Sequence, residues 1–208
     1  MIGIFSYHKP KGITSAQFLN KIKKDLNTKE KIGHGGTLDK FAEGVLVVAI
    51  GQEYTKQLTP ILKNSTKEYE AEIKLGVNST TCDSEGEMEN ISDKKPTLKE
   101  IKEVIKKFPL NKSFTQTSPL YSAKKIKGVR QSDLMRVSKI FEPKKSLVTL
   151  HSIEIQDYNY PILKIKITTS SGFYVRSLAR DLGEKLQTGA YLINLKRTKI
   201  ITENKIYK

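Results

Sequence analysis

With 208 residues, 37% of them hydrophobic and 28% charged, the chain has the composition of an ordinary globular protein, and its longest apolar run, residues 45–50, is far too short to cross a bilayer. A single cysteine, Cys82, excludes an internal disulfide, and the scattered histidines His8, His34 and His151 lack zinc-ligand spacing, so no protein-bound metal is expected. The 37 Lys and Arg against 22 Asp and Glu leave a formal charge of +15, which points to a polyanionic partner.

Residues 1–10 lack the apolar stretch of a signal peptide, so a cytoplasmic protein is expected. Ser15 can cap a helix whose Phe18, Leu19, Ile22 and Leu26 recur at helical spacing, with lysines on the other face. A strand is predicted over 45–50, between Gly44 and Gly51, and another over 69–75, where Tyr69, Ala71, Ile73 and Leu75 share one face. Residues 83–93 hold five acids and no base. Thr97 and Glu100 form a capping box ahead of the apolar stripe Leu98, Ile101, Val104, Ile105 and Phe108. From 124 to 145, eight basic residues (Lys124, Lys125, Lys127, Arg130, Arg136, Lys139, Lys144, Lys145) stand against two acids, Asp133 and Glu142. Solvated surface lysines would give the same net charge, but this segregation suggests one face that tracks phosphates. Alternation returns at Leu163, Ile165 and Ile167 and breaks at Ser170-Ser171-Gly172; a helix is predicted over 175–186, with Gly189 as its stop. Strands and helices mix without a βαβ period, repeat or long linker, so one α+β domain over 1–208 is expected, with a basic excursion near 121–145.

The segment Gly33-His34-Gly35-Gly36-Thr37-Leu38-Asp39 packs three glycines, a histidine and an acid ahead of the apolar strand. It is not a phosphate-binding P-loop, because no Gly-Lys-Ser/Thr follows and the next element is a strand rather than a helix. A structural turn and a ligand-approaching loop fit the local features equally well.

Together with five other blocks, this segment resembles the TruB-type tRNA pseudouridine-55 synthases. Gly33 to Asp39, followed by a glycine and the strand to Gly51, is similar to the family's Gly-His-x-Gly-x-Leu-Asp loop. Lys9-Pro10-Lys11-Gly12-Ile13-Thr14-Ser15 resembles its amino-terminal motif, Lys67-Glu68-Tyr69 its tyrosine segment, and Pro119-Leu120-Tyr121-Ser122-Ala123-Lys124 its central block. Ser171-Gly172-Phe173-Tyr174-Val175-Arg176 with Asp181-Leu182-Gly183, and then the stretch from Leu192 to Arg197, resemble the arginine motif and the closing leucine-arginine block.

The resemblance implies the pseudouridine synthase catalytic fold, a mixed and mainly antiparallel sheet flanked by helices and loops. It implies isomerisation of uridine 55 in the T-loop of tRNA after base flipping, a reaction that imports no atom or electron and needs no cofactor. Asp39 is implied as the catalytic carboxylate, Arg176 as the cation that favours its charged form, and Tyr69 as the aromatic that stacks on the base and helps remove the C5 proton. Lys9, His34, Tyr174 and Leu195 are implied to bind substrate, His34 by holding the opened loop; by residue type alone, Tyr69 and Leu195 read equally as core. Arg180 is read as binding phosphate or pairing with acids. The partner is expected to be the T-arm stem-loop, bound by a monomer, with the 121–145 segment clasping RNA and gaining order on binding. Three departures stand out: Gly35 where threonine or serine is usual, Lys40 where proline is usual, and an end at Lys208, so that the carboxy-terminal PUA module of many relatives is not expected in this sequence. The alternative from another class is a noncatalytic RNA-binding protein or tRNA-folding chaperone.

Overall fold

In the computed structural model, which describes every residue except 123, 124, 127 and 138–140, and of 125, 130 and 136 only the backbone, the elements follow one another in chain order. They are β1 (Gly3–Lys9), α1 (Ser15–Asp25), β2 (Ile32–Gly35), β3 (Glu43–Ile50), α2 (Gln52–Lys63), β4 (Thr66–Leu75), β5 (Val77–Ser79), β6 (Met88–Asn90), α3 (Leu98–Lys106), β7 (Ser113–Thr117), β8 (Lys125–Ile126), β9 (Val129–Arg130), α4 (Gln131–Arg136), β10 (Lys145–Asn159), β11 (Ile162–Thr169), α5 (Val175–Leu186), β12 (Ala190–Ile201) and β13 (Ile206–Tyr207). The class is α+β, as the residue pattern predicts.

Local signals account for most element boundaries. Thr97 and Glu100 close the predicted capping box of α3, with Glu100 N–H donating to Thr97 Oγ1 at 3.2 Å and Thr97 N–H to Glu100 Oε2 at 2.7 Å. Helix α1 is capped one residue earlier than expected: Thr14 and Gln17 form its box, which makes Ser15 the first helical residue and releases the serine hydroxyl for another partner. Helix α5 covers the predicted residues but ends at Gln187 in the left-handed region (φ 60°), two residues before Gly189. Helix α2 was not predicted. It turns directly out of β3 at Gly51 and contains Pro60, which argues against a helix in sequence; its Leu58 and Leu62 are nevertheless buried.

Read from sequence as one domain, the chain divides by its contacts into two units, each discontinuous because β4, β11 and β12 run from one into the other. The first comprises Met1–Glu70, Ile167–Ser171 and Asn194–Lys208, with hydrogen-bonded strand order β1-β3-β12-β4-β11, β2 beside β3 and β13 beside β12. Strand β3 is its spine. Successive side chains alternate between an apolar cluster with Leu58 and Leu62 of α2 and one with Phe18 and Ile22 of α1, so both faces are dry. Burial on both sides explains the uninterrupted apolar run at 45–50, each such side chain contributing roughly 1.5–3 kcal/mol. The second unit comprises Ala71–Lys166 and Gly172–Ile193, with strand order β12-β4-β11-β10-β7. In it Ile73, Leu75, Leu163 and Ile165, together with Leu178, Ala179 and Leu182 of α5, are fully buried or nearly so.

Candidate active site

Strands β2 and β3 form an antiparallel hairpin, pairing His34 with Val48 and Gly35 with Val47, and the connecting loop 36–42 carries Asp39. The amino-terminal motif grips this loop on both sides of Asp39. Ser15 Oγ accepts from Leu38 N–H at 3.0 Å and donates to Leu38 O at 2.8 Å, while Gly12 N–H donates to Lys40 O at 2.8 Å. Asp39 O in turn accepts from Ala42 N–H at 3.2 Å. Leu38 is buried and Asp39 half-buried, so the aspartate projects from backbone held at its two neighbours. Lys9, expected at the substrate, is fully buried and donates from Nζ to Pro10 O and Ile13 O at 2.9 and 2.8 Å, which shapes the turn that presents Gly12 and Ser15.

At the loop's ends sit two cations, Arg197 and Lys67, that belong to the quoted motifs but to which the sequence assigned no role. Arg197, 1% exposed on β12, donates from Nη2 to Gly36 O at 2.6 Å and from Nε to Val45 O at 2.8 Å. Lys67, buried on β4, donates to Ser65 Oγ at 2.8 Å. Burial, and then the Arg197 charge, push its ammonium down to about 8. The two-residue period of a strand places Tyr69 on the Lys67 side of β4 and Leu195 on the Arg197 side of β12, and these strands are neighbours. Tyr69 and Leu195 are both buried. His34 is held below its ordinary pKa by burial and, secondarily, by Arg197, which keeps the imidazole neutral at pH 7; its Nδ1 is buried without a hydrogen-bond partner among the described residues. The departure at Gly35 has a steric basis, since a β-carbon there would lie 2.0 Å from Leu62 Cδ1: in this chain the leucine fills the space.

Arg176 lies in the second unit, at the first turn of α5, and its partners there were not anticipated. Its Nη1 donates to Asp83 Oδ2 and to Thr81 O, both at 3.0 Å, and its Nη2 to Tyr121 O at 2.9 Å. Asp83 is equally buried and its Oδ1 accepts from Thr81 Oγ1 at 2.5 Å and Glu85 N–H at 3.0 Å. Thr81, Asp83 and Tyr121 thus fix the direction of the guanidinium. Tyr174, the N-cap of α5, is held through its backbone by Gln116, which accepts from Tyr174 N–H at 2.8 Å and donates to Tyr174 O at 3.1 Å. Arg180 pairs with Asp181 at 2.7 Å and Glu184 at 3.8 Å, the acid-pairing alternative. In the basic segment, buried Gln131 bonds Ser118 Oγ, Pro119 O and Lys144 N–H, closing its base. Lys124, Lys127 and Lys139 of that segment lie outside the described residues, as do the side chains of Lys125, Arg130 and Arg136.

Comparison with known proteins adds an independent line. Residues 23–175 match the TruB family pseudouridylate synthase (N terminal domain). The tRNA pseudouridine synthase B of Protochlamydia amoebophila is 43% identical over 197 residues, covering 95% of this chain and 73% of that protein. Pseudouridylate synthase TRUB1 of Homo sapiens is 40% identical over 217 residues, covering 95% of this chain and 60% of the human protein. A solved chain from a Cbf5-Nop10-Gar1 complex superposes with a TM-score of 0.72 at 27% identity, over 97% of this chain and 50% of that one. The chain therefore spans between half and three quarters of the length of these proteins.

Proposed function

Because the chain belongs to the TruB family of pseudouridylate synthases, we propose that it isomerises uridine 55 to pseudouridine in the T-loop of tRNA, with Asp39 as the carboxylate that acts on the flipped nucleotide. The observation that carries the residue assignment is the grip of Ser15 and Gly12 on Leu38 and Lys40, which presents the intervening aspartate on fixed backbone. Preorganisation of this kind lowers the entropy lost in reaching the reactive geometry.

The chemistry breaks the C1′–N1 glycosidic bond, turns the uracil, joins C1′ to C5, removes the C5 proton and leaves N1 protonated in its place, so atoms balance without a cofactor. Extruding the uridine costs a few kcal/mol, which phosphate contacts along the basic surface offset. Tyr69 is assigned to the base and to the C5 proton, and Leu195, on the same side of the neighbouring strand, to the wall beside it. Neutral His34 is suited to hydrogen bonding in the opened loop rather than to proton transfer. Arg176 is assigned to the reaction from its motif, with Asp83 as the group that orients it. Tyr174 is assigned to the substrate, and Lys9 acts through the turn it shapes. The segment near 121–145 is assigned to clasping the T-arm, and the chain acts as a monomer.

The test is site-resolved pseudouridine detection on unmodified T-arm RNA with wild-type protein and Asp39→Asn, which keeps the shape and removes the charge. The wild type is expected to modify one T-loop uridine and the variant to modify none while binding RNA equally. Tight binding by both without modification would make the chain an RNA-binding protein or chaperone instead.

A further inference from the structure

We infer that Arg197 is a positioning residue for Asp39, a brace that ties together the two ends of the loop carrying it. The inference rests on the reading of Asp39 as the reacting carboxylate. Gly36 is where the chain leaves β2, and Val45 lies just inside β3; the carbonyl of each accepts from a different nitrogen of the one Arg197 guanidinium, at 2.6 and 2.8 Å. A planar fork with fixed donor directions sets the separation of two acceptors, which the single nitrogen of a lysine on a flexible stem does not.

Three further features favour a geometric purpose over a merely structural one. The Arg197 backbone is already in register with Gly44 in the parallel β12–β3 ladder, so the side chain starts from a point fixed to the far end of the loop. Gly36 lies directly against the fork: its φ of +70° is a conformation that favours glycine, and a β-carbon there would be in van der Waals contact with Arg197 Nη1 at 3.4 Å and Lys67 Cε at 3.6 Å. The neighbour on that side is a second cation, Lys67, and among the described residues the guanidinium's hydrogen-bond acceptors are backbone carbonyls at the two ends of the loop. Burying a guanidinium in this way is a poor device for stability, and a good one for fixing the loop. With Ser15 and Gly12 holding the middle, the backbone that carries Asp39 is fastened both at the ends of its loop and at the residues beside it.

The experiment compares wild type, Asp39→Asn and Arg197→Lys in single-turnover pseudouridine formation with enzyme in excess, alongside RNA affinity and hydrogen exchange at the Leu38 and Ala42 amides. Arg197→Lys keeps the charge and loses the fork. It is expected to slow the single-turnover rate about 100-fold, as a displacement near 1 Å would, with RNA affinity unchanged and faster exchange at both amides. An inactive Asp39→Asn beside a full-rate Arg197→Lys overturns the brace alone; an active Asp39→Asn overturns the site reading beneath it. Should Arg197→Lys not fold, Gly36→Ala strains the φ +70° turn whose carbonyl the fork holds, and so perturbs the same contact from the exposed side of the loop. A normal rate with unchanged exchange in that variant also overturns the inference.

Discussion

Lys67 is a charge placed where burial works against it. Its folded pKa of about 8 lies below the ordinary lysine value of 10.5, because burial and then Arg197 disfavour the ammonium. For a base with a depressed folded pKa the penalty is fully present below about 8, and it fades as pH rises from there to 10.5, where the unfolded chain still binds the proton and the folded one does not. Lys67→Met, similar in length and uncharged, is therefore expected to raise stability at pH 7 by an amount on the order of 1–3 kcal/mol, and the advantage over wild type should shrink by pH 10. Denaturant titrations at the two pH values check this; a variant less stable at both would show that the Ser65 hydrogen bond outweighs the burial. A lysine retained against this cost, two residues from Tyr69 on the same side of β4, is in keeping with a role in the site rather than in the fold.

At the scale of elements, the glycine that follows the loop is required by a strand contact. Gly44 has φ +111°, and a β-carbon there would lie 2.2 Å from the Arg197 carbonyl oxygen and 2.8 Å from its nitrogen, both backbone atoms that cannot swing away. Gly44→Ala is expected to destabilise by roughly 2–4 kcal/mol, read as a fall in Tm of roughly 5–15 °C. An unchanged Tm would mean that β12 can slide relative to β3. The contrast with other elements shows what a single sequence discloses. The capping box at Thr97, the apolar run of β3 and the residues of α5 are local patterns, and they were legible. Helix α2 was obscured by Pro60, and the α1 cap was displaced by one residue because Ser15 has a distant partner. The polar pairings that shape the site were not legible at all. Arg176 meets Asp83 across 93 positions and Arg197 meets Gly36 across 161, separations over which no periodicity or spacing rule operates. Asp39, Tyr69 and Arg176 were singled out as catalytic candidates only because ordered motifs resembled a family.

For the whole molecule, the formal charge of +15 sets how binding should respond to salt. Log affinity for T-arm RNA is expected to fall linearly with log salt concentration, by about 0.7–0.9 for each phosphate neutralised. A slope near zero in a filter-binding series would remove electrostatics as the main source of affinity. No helix among the described residues is long and apolar enough to cross a membrane.

The strand order of the first unit also dictates a schedule of synthesis. Strand β12, residues 190–201, is inserted between β3 and β4, which are complete by residue 75. A nascent chain emerging from the ribosome therefore carries the loop with Asp39 long before Arg197 exists to fasten it, and until then β3 lacks its partner at Glu43 and Gly44 and β4 lacks its β12 neighbour. The loop that carries Asp39 can reach its final anchorage only once β12 has been made.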